Sequence, residues 1–410
     1  MEYGKLRVFV TAERNSLPIE GAVIRITNEN EPENTIEQTT TDSSGKTADI
    51  ELPAPPVEYS MEPGANKPYA EYTIYIEAPG YETVEISGAE IMSGETAIQN
   101  KGLLPIIQED ENSAELFVIP DHTLWGDYPP KILEPEISPV NESGEIVLSR
   151  VVIPEYVVVH DGPPSDSSAE NYYIGYKDYI KNVASSEIYA TWPRETIIAN
   201  ILAIQSFTLN RVYTEFYRNR GYDFTITSST AYDHKWIPGR NIFDSISEVV
   251  DSVFTDFLSR PNVSQPILTQ YCDGKRVTCP GVMSQWGSKS LGDQGYSAIE
   301  ILQNYYGNTI FINSTETISG IPSSWPGTDL SIGSRGDKVR QLQNQLNVIA
   351  GGYPLIPVIA ADGIYGGATA NAVRVFQRIF DLPETGITDF PTWYKISEIY
   401  VGVSRIAEYV

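Results

Sequence analysis

The sequence predicts a multidomain α+β chain: a β-sandwich in front, a mixed α/β domain in the middle and three helices at the end. Three observations carry this reading. Residues 1–105 hold short runs of alternating apolar and polar residues between turn-forming ones. Beyond residue 165 the apolar spacing changes to the 3.6-residue helical period. At 410 residues the chain also exceeds what one hydrophobic core ordinarily serves.

In the front segment Leu6-Arg7-Val8-Phe9-Val10 alternates, and the turn Leu17-Pro18-Ile19-Glu20-Gly21 leads into Ala22-Val23-Ile24-Arg25-Ile26. A second turn, Thr41-Asp42-Ser43-Ser44-Gly45, precedes Ala48-Asp49-Ile50-Glu51-Leu52, and Tyr72-Thr73-Ile74-Tyr75-Ile76 follows later. Residues 106–165 are rich in proline and acids and are predicted to be an extended, partly ordered connector. The mixed α/β domain is placed at 166–320, with helices over 176–186 and 194–217. In the second helix Ile197, Ile198, Ile201, Ile204, Gln205 and Thr208 make an apolar stripe, and Trp192-Pro193 stands where a helix can begin. The final module, 328–405, carries helices near 336–350 and 367–380, with a third marked by Trp393, Ile396 and Tyr400.

The net charge of −26 is uneven: residues 1–150 hold 28 acidic and 9 basic side chains, residues 151–410 hold 26 and 19. Such a field opposes binding to a phosphate backbone, so nucleic acid is excluded as a partner. No apolar run nears the roughly 18 residues of a membrane span, so no membrane partner is expected. The first residues lack a basic stretch followed by an apolar one, so the expectation is a protein that reaches its site without an evident signal peptide. Cys272 and Cys279 make neither a disulfide framework nor a four-ligand zinc pattern; two buried thiols or one local disulfide is the reading.

Glu187 is the residue that points to chemistry. It follows Ala184, Ser185 and Ser186 and precedes Tyr189 and Trp192, so it can be partly desolvated between two helices. Burial disfavours the anion and raises a carboxyl's pKa toward what a general acid needs. Tyr179-Ile180-Lys181, Val183-Ala184-Ser185-Ser186, Glu187 and Thr191-Trp192-Pro193 resemble, in order, the signature of the SpoIID sporulation-protein family. A second block resembles the same family: Val282-Met283-Ser284-Gln285-Trp286-Gly287, then Gln294-Gly295-Tyr296-Ser297. The resemblance implies a lytic transglycosylase with Glu187 as its acid/base, and with Tyr189, Trp192, Ser284, Gln285 and Trp286 along the glycan groove. Where the family has a histidine, Cys279-Pro280-Gly281 stands here. Some members hold zinc, which makes Cys272, Cys279 and His234 weak ligand candidates; core packing is the preferred reading and no cofactor is expected.

The end of the chain, from Asp362-Gly363-Ile364-Tyr365-Gly366 to Ala372-Val373-Arg374-Val375-Phe376-Gln377, resembles a peptidoglycan-binding domain and implies wall contact by Asp362, Gly363, Tyr365 and Gly366. The front pieces PIEGAVIRI, TDSSGKTADIELP and YTIYIEAPGYE resemble a transthyretin-like β-sandwich. Together the three parts resemble the SleC-type spore cortex-lytic enzymes. That family implies a precursor in the spore cortex or coat, matured by a subtilisin-like germination protease. The charge step places the cut between Arg150 and Val151. Two alternatives stay open: a wall enzyme of division or engulfment, and a non-catalytic enhancer of an amidase.

Overall fold

Alternation sends every second side chain of the front segment to one face, and two sheets close on that face. A computed structural model describes residues 2–13, 16–29, 31–106, 114–137, 150–278, 280–319 and 325–404. Strands β1 (Glu2–Ala12), β2 (Val23–Asn28), β3 (Glu31–Thr40), β4 (Ile50–Ala54), β5 (Ala70–Glu77), β6 (Thr83–Ile91) and β7 (Thr96–Leu103) form the sandwich, with one helical turn, α1 (Glu58–Met61). Leu6, Val8 and Val10 face Ile24, Ile26, Ile74, Ile76 and Ile86, all fully buried.

Two strands from outside the predicted sandwich complete it. The stretch expected to be a connector supplies β8 (Ala114–Val118), which runs parallel to β6 and ends the five-stranded sheet β3-β2-β5-β6-β8. In the other sheet, β12-β7-β1-β4, the edge strand is β12 (Ile242–Phe243) of the middle domain, antiparallel to β7. Both join through backbone hydrogen bonds, which a short strand can make with little side-chain patterning.

The middle domain begins with β9 (Tyr156–His160) and β10 (Asn171–Gly175), which pair in a three-stranded sheet with β11 (Ile226–Thr227). Helix α2 (Tyr176–Glu187) follows, then α3 (Arg194–Tyr213), with α4 (Asp244–Val253), α5 (Gln285–Asp293) and α6 (Ala298–Tyr306) around it. The apolar stripe predicted for α3 understates it. Asn200, Ser206 and Asn210, outside that stripe, are buried as well, so α3 is the hub of the domain. Buried amide N–H groups of the helix find acceptors inside the domain: Gln205 Nε2 donates to Val253 O (2.7 Å) and Asn210 Nδ2 to Pro266 O (2.7 Å). Two small ladders, β13 (Asp256–Ser259) with β16 (Phe311–Ser314) and β14 (Tyr271–Cys272) with β15 (Met283–Ser284), complete it.

The terminal helices α7 (Asp337–Gly352), α8 (Gly367–Ile379) and α9 (Phe390–Ser404) match the predicted three-helix module. They are packed against both other parts. On the middle domain, Phe390 stacks on Phe254 (5.5 Å), near the pairs Lys395–Glu398 and Lys181–Asp251 (both 2.8 Å). On the sandwich, Asp381 receives Arg7 (2.8 Å) and Lys46 (2.6 Å), and Phe9 meets Phe380 edge-on.

The sandwich meets the middle domain through a buried ion pair. Arg240 donates two bonds to Glu90 of β6 (2.6 and 2.7 Å), and both side chains are at most 1% exposed. A third bond from Arg240 goes to Ser185 O in the last turn of α2. Removing either partner strands a charge in the core. Glu90→Ala or Arg240→Ala is expected to lower stability by about 3–5 kcal/mol, read as a lower urea midpoint with an unchanged slope. The replacement of both by apolar residues of similar volume is expected to recover most of that loss.

Candidate active site

The small residues Ala184, Ser185 and Ser186 are fully buried, which lets the end of α2 sink into the domain. Glu187, the last residue of the helix, is 3% exposed there. Its Oε1 accepts the backbone N–H of Lys235 (2.6 Å) and its Oε2 accepts the hydroxyl of Tyr271. Gln285 Nε2 holds its carbonyl (3.0 Å). Burial is the largest influence on this carboxyl and raises its pKa; the Lys131 cation, the Tyr271 hydroxyl and the Lys235 N–H pull the other way without cancelling it. Tyr271 is pushed well up by burial and by the charge of Glu187, so it remains a donor. His234 lies parallel to Tyr271 (ring centroids 5.8 Å apart) and shares a hydrogen bond with Tyr179 (3.0 Å). Burial and the cations of Lys131 and Arg211 drive its pKa well down, so the ring is neutral at pH 7.

Glu187 opens on a cleft of about 200 Å³ whose walls include Thr123, Tyr128, Lys131, Tyr271, Arg276 and Gln285. That is smaller than the roughly 300–1,000 Å³ usual for ligand pockets. The cause is residues 119–137, which leave the sandwich sheet and cross the cleft as a strap. At its start the His122 ring packs on Tyr189 (4.5 Å) and Thr123 N–H donates to Ser186 O (3.1 Å). Lys131 Nζ then donates to Asp233 O, with the side chain beside the Phe207 and Tyr271 rings. Beyond it Ile132 N–H donates to Ala231 O (2.7 Å) and Glu134 N–H to Gln270 Oε1 (2.9 Å).

The residues predicted for the groove divide. Gln285 lies in the cleft wall. Tyr189, Trp192 and Trp286 are 1%, 3% and 6% exposed and form one buried aromatic cluster, Trp192 to Trp286 at 5.0 Å. They do not line an open groove, because Trp192 donates to Ser60 O of the sandwich (2.9 Å) and His122 covers Tyr189. Ser284 caps α5 through Gly287 N–H (2.9 Å) and supports a loop instead of facing the cleft. Above it Gly274 has φ +79°, and a Cβ there would meet Ser284 Oγ at 1.9 Å, so only glycine fits.

The zinc candidates are corrected too. Cys272 is disulfide-bonded and has no thiolate to offer, His234 is packed among aromatic rings, and Cys279 lies outside the described residues. Among the described residues no group of three His, Cys, Asp or Glu is arranged for a metal. These residues do not fit zinc.

In the terminal module Tyr365 is fully buried, its hydroxyl bonded to Gly386 O (3.0 Å), so it is a core residue and not a wall contact. Asp362 accepts Ile364 N–H (2.8 Å) and Gln343 Nε2 (3.1 Å), and Gly363 has φ +76°; both shape the turn that ends at Gly366. Arg150 is exposed, while Val151 O accepts from Thr315 (3.0 Å).

Comparison with known proteins bears on the end of the chain and on its general class. Residues 335–396 match the family described as "Putative peptidoglycan binding domain". Over 237 residues the chain is 27% identical to the N-acetylmuramoyl-L-alanine amidase CwlL of Bacillus licheniformis, covering 56% of this chain and 62% of that one. Over 77 residues it is 42% identical to the zinc D-Ala-D-Ala carboxypeptidase of Streptomyces albus G, covering 18% of this chain and 28% of that one. The chain thus spans less than two thirds of either relative. Among solved structures, the Bacillus anthracis TIE protein aligns with 26% of this chain and 17% of its own, at 22% identity and a TM-score of 0.18. The minor pilin GBS52 of Streptococcus agalactiae aligns with 27% and 48%, at 14% identity and a TM-score of 0.19.

A carboxyl whose pKa is raised by folding destabilises the fold once it ionises. Above its unfolded value of 4.5 the native state binds more protons than the unfolded one, so its contribution worsens as pH rises. Glu187→Gln is therefore expected to stabilise the chain by roughly 1 kcal/mol at pH 7 and by little at pH 4, in urea titrations at both values. An equal effect at both would contradict the assignment.

Proposed function

We propose that the chain is the latent form of a lytic transglycosylase that cleaves peptidoglycan glycan strands in the spore cortex, with Glu187 as acid/base. The observation that carries this is one buried carboxyl, with raised pKa, held in place by Tyr271 and the Lys235 N–H at the end of a cleft. Protonated Glu187 gives its proton to the glycosidic oxygen as the C1–O bond breaks. The resulting carboxylate takes the proton of the muramyl 6-hydroxyl, whose oxygen bonds to C1. The product is a 1,6-anhydro sugar and no water is consumed.

A single carboxyl suffices because the substrate supplies the nucleophile, whereas ordinary glycosidases need two. The other acids of the cleft support this reading. Asp273 is spent on the N–H groups of Arg276 and Val277 (both 2.8 Å), and the Asp127 side chain is fully exposed. The match at residues 335–396 supplies a wall-binding module, and the two curated relatives support a cell-wall enzyme. The disulfide at Cys272 favours a site outside the reducing cytosol, in keeping with cortex or coat. In this reading a subtilisin-like germination protease cuts between Arg150 and Val151, and the strap then gives way.

Mass spectrometry of digested cortex, before and after protease treatment of the full chain, tests both parts. The treated chain is expected to release anhydro-muropeptides at least 10-fold faster than the intact one. Glu187→Gln is expected to lose about 10²–10⁴-fold, as general acid–base groups do. Reducing sugar ends would indicate a hydrolase, and new alanine amino termini an amidase; either overturns the transglycosylase. Equal rates before and after treatment would overturn latency.

A further inference from the structure

Beneath the strap lie two arginines that the reaction above does not use. We propose that Arg211 and Arg260 form a carboxylate-binding subsite of the same groove for the acidic stem peptides of peptidoglycan, occupied in the intact chain by Glu134 and Glu136. This rests on the reading that Glu187 acts on glycan strands and that the strap is displaced.

Arg211 is held by its own domain. Its Nε donates to Asp233 (2.8 Å), and Asp233 is fixed in turn by Tyr217 OH (2.6 Å), Thr227 N–H (2.9 Å) and Thr227 Oγ1 (2.7 Å). The guanidinium lies 3.7 Å from the Phe216 ring centroid and 4.8 Å from that of Phe207. Orientation is therefore complete without the strap. What remains is the outer edge of the fork, which takes the Glu134 carboxylate at 2.6 and 3.0 Å, with Tyr232 O at 3.3 Å. A preset planar fork selects a carboxylate in bidentate geometry.

Arg260 repeats the arrangement. Tyr306 O (2.6 Å) and Thr309 Oγ1 (2.5 Å) position it, and Glu136 takes Nε (2.5 Å) and Nη2 (2.7 Å). Three residues before Glu134, Lys131 reaches Asp233 O at the Glu187 cleft. Three residues span at most about 10 Å of chain and five about 17 Å, so both forks lie along the path of the strap that also covers the Glu187 cleft. Peptidoglycan carries on its muramyl residues stem peptides with free carboxylates, and in a chain of net charge −26 an arginine pair is a local attractor for them.

The test uses the full chain with a protease site placed within 138–149, cut before assay, as wild type, Arg211→Gln and Arg260→Gln. Arg260 is 25% exposed, so its variant is expected to fold even if the Arg211 variant does not. Calorimetry with the tripeptide L-Ala-γ-D-Glu-diaminopimelate is expected to show binding by the cut wild type and at least 10-fold weaker binding by the uncut chain and by each variant. On glycan strands, each variant is expected to raise KM at least 10-fold more for stem-bearing than for amidase-stripped strands. Equal tripeptide binding by cut wild type and Arg260→Gln, no binding by the cut wild type, or equal KM changes on both strands overturns the subsite. Tripeptide binding needs no glycan cleavage, so an inactive Glu187 would sink the transglycosylase and leave this result readable.

Discussion

The buried pair of Glu90 and Arg240 is the constraint on which the arrangement depends. A guanidinium without a carboxylate partner is not tolerated in a dry core, so β6 of the sandwich and the 240–243 segment must come together. Adjacent residues extend the contact: Asn241 exchanges hydrogen bonds with the backbone of Glu90 (2.9 and 3.0 Å), and β12 pairs with β7. Because Arg240 also holds Ser185 O, the same contact fixes the turn of α2 that ends in Glu187. The sandwich is thus part of the framework that aims the carboxyl. The strand β8, beside β6, launches the strap directly over the cleft.

The electrostatics of that cleft pull against one another. Burial raises the pKa of Glu187, while the strap supplies Lys131, the strongest of the groups that lower it. Lys131 is itself driven down by burial. With the strap in place the carboxyl is covered, and the lysine offsets part of the rise that burial causes without reversing it. A displaced strap removes the lysine and admits water, and these two changes act in opposite directions. Tyr271 and the Lys235 N–H stay, so the orientation of the carboxyl does not depend on the strap.

The front strands were legible because alternation is a local signal, and the helices because their apolar spacing is. Glu187 stood out by its small neighbours and the Trp192-Pro193 corner. Its partners did not: Tyr271 is 84 residues away, and nothing near it in sequence marks it as the donor. The pairing of β12 with β7 joins strands through backbone groups that carry no side-chain pattern. Aromatic residues were the least legible. Tyr189, Trp192, Trp286 and Tyr365 suit a sugar face and a core equally well, and what decides is whatever covers them, here Ser60, His122 and the module's own loops. Glu134 and Glu136 of the strap read as linker charge because their arginine partners lie beyond residue 210.

On the proposed reading, one cut peptide bond cannot by itself free the groove, since the sandwich stays bound by Glu90, β12 and Asp381. What the cut changes is the tether at the far end of the strap. There the contacts grow weaker toward the cut: Glu134 is 20% exposed against a buried arginine, and Glu136 and Arg260 are 31% and 25% exposed. Exposed pairs contribute least, about 0–1 kcal/mol each. With its end free, the strap peels from Glu136 inward, and each carboxylate it withdraws leaves an arginine fork for one arriving on the substrate. Opening and substrate binding are then the same exchange, and the last group to leave is the lysine beside Glu187.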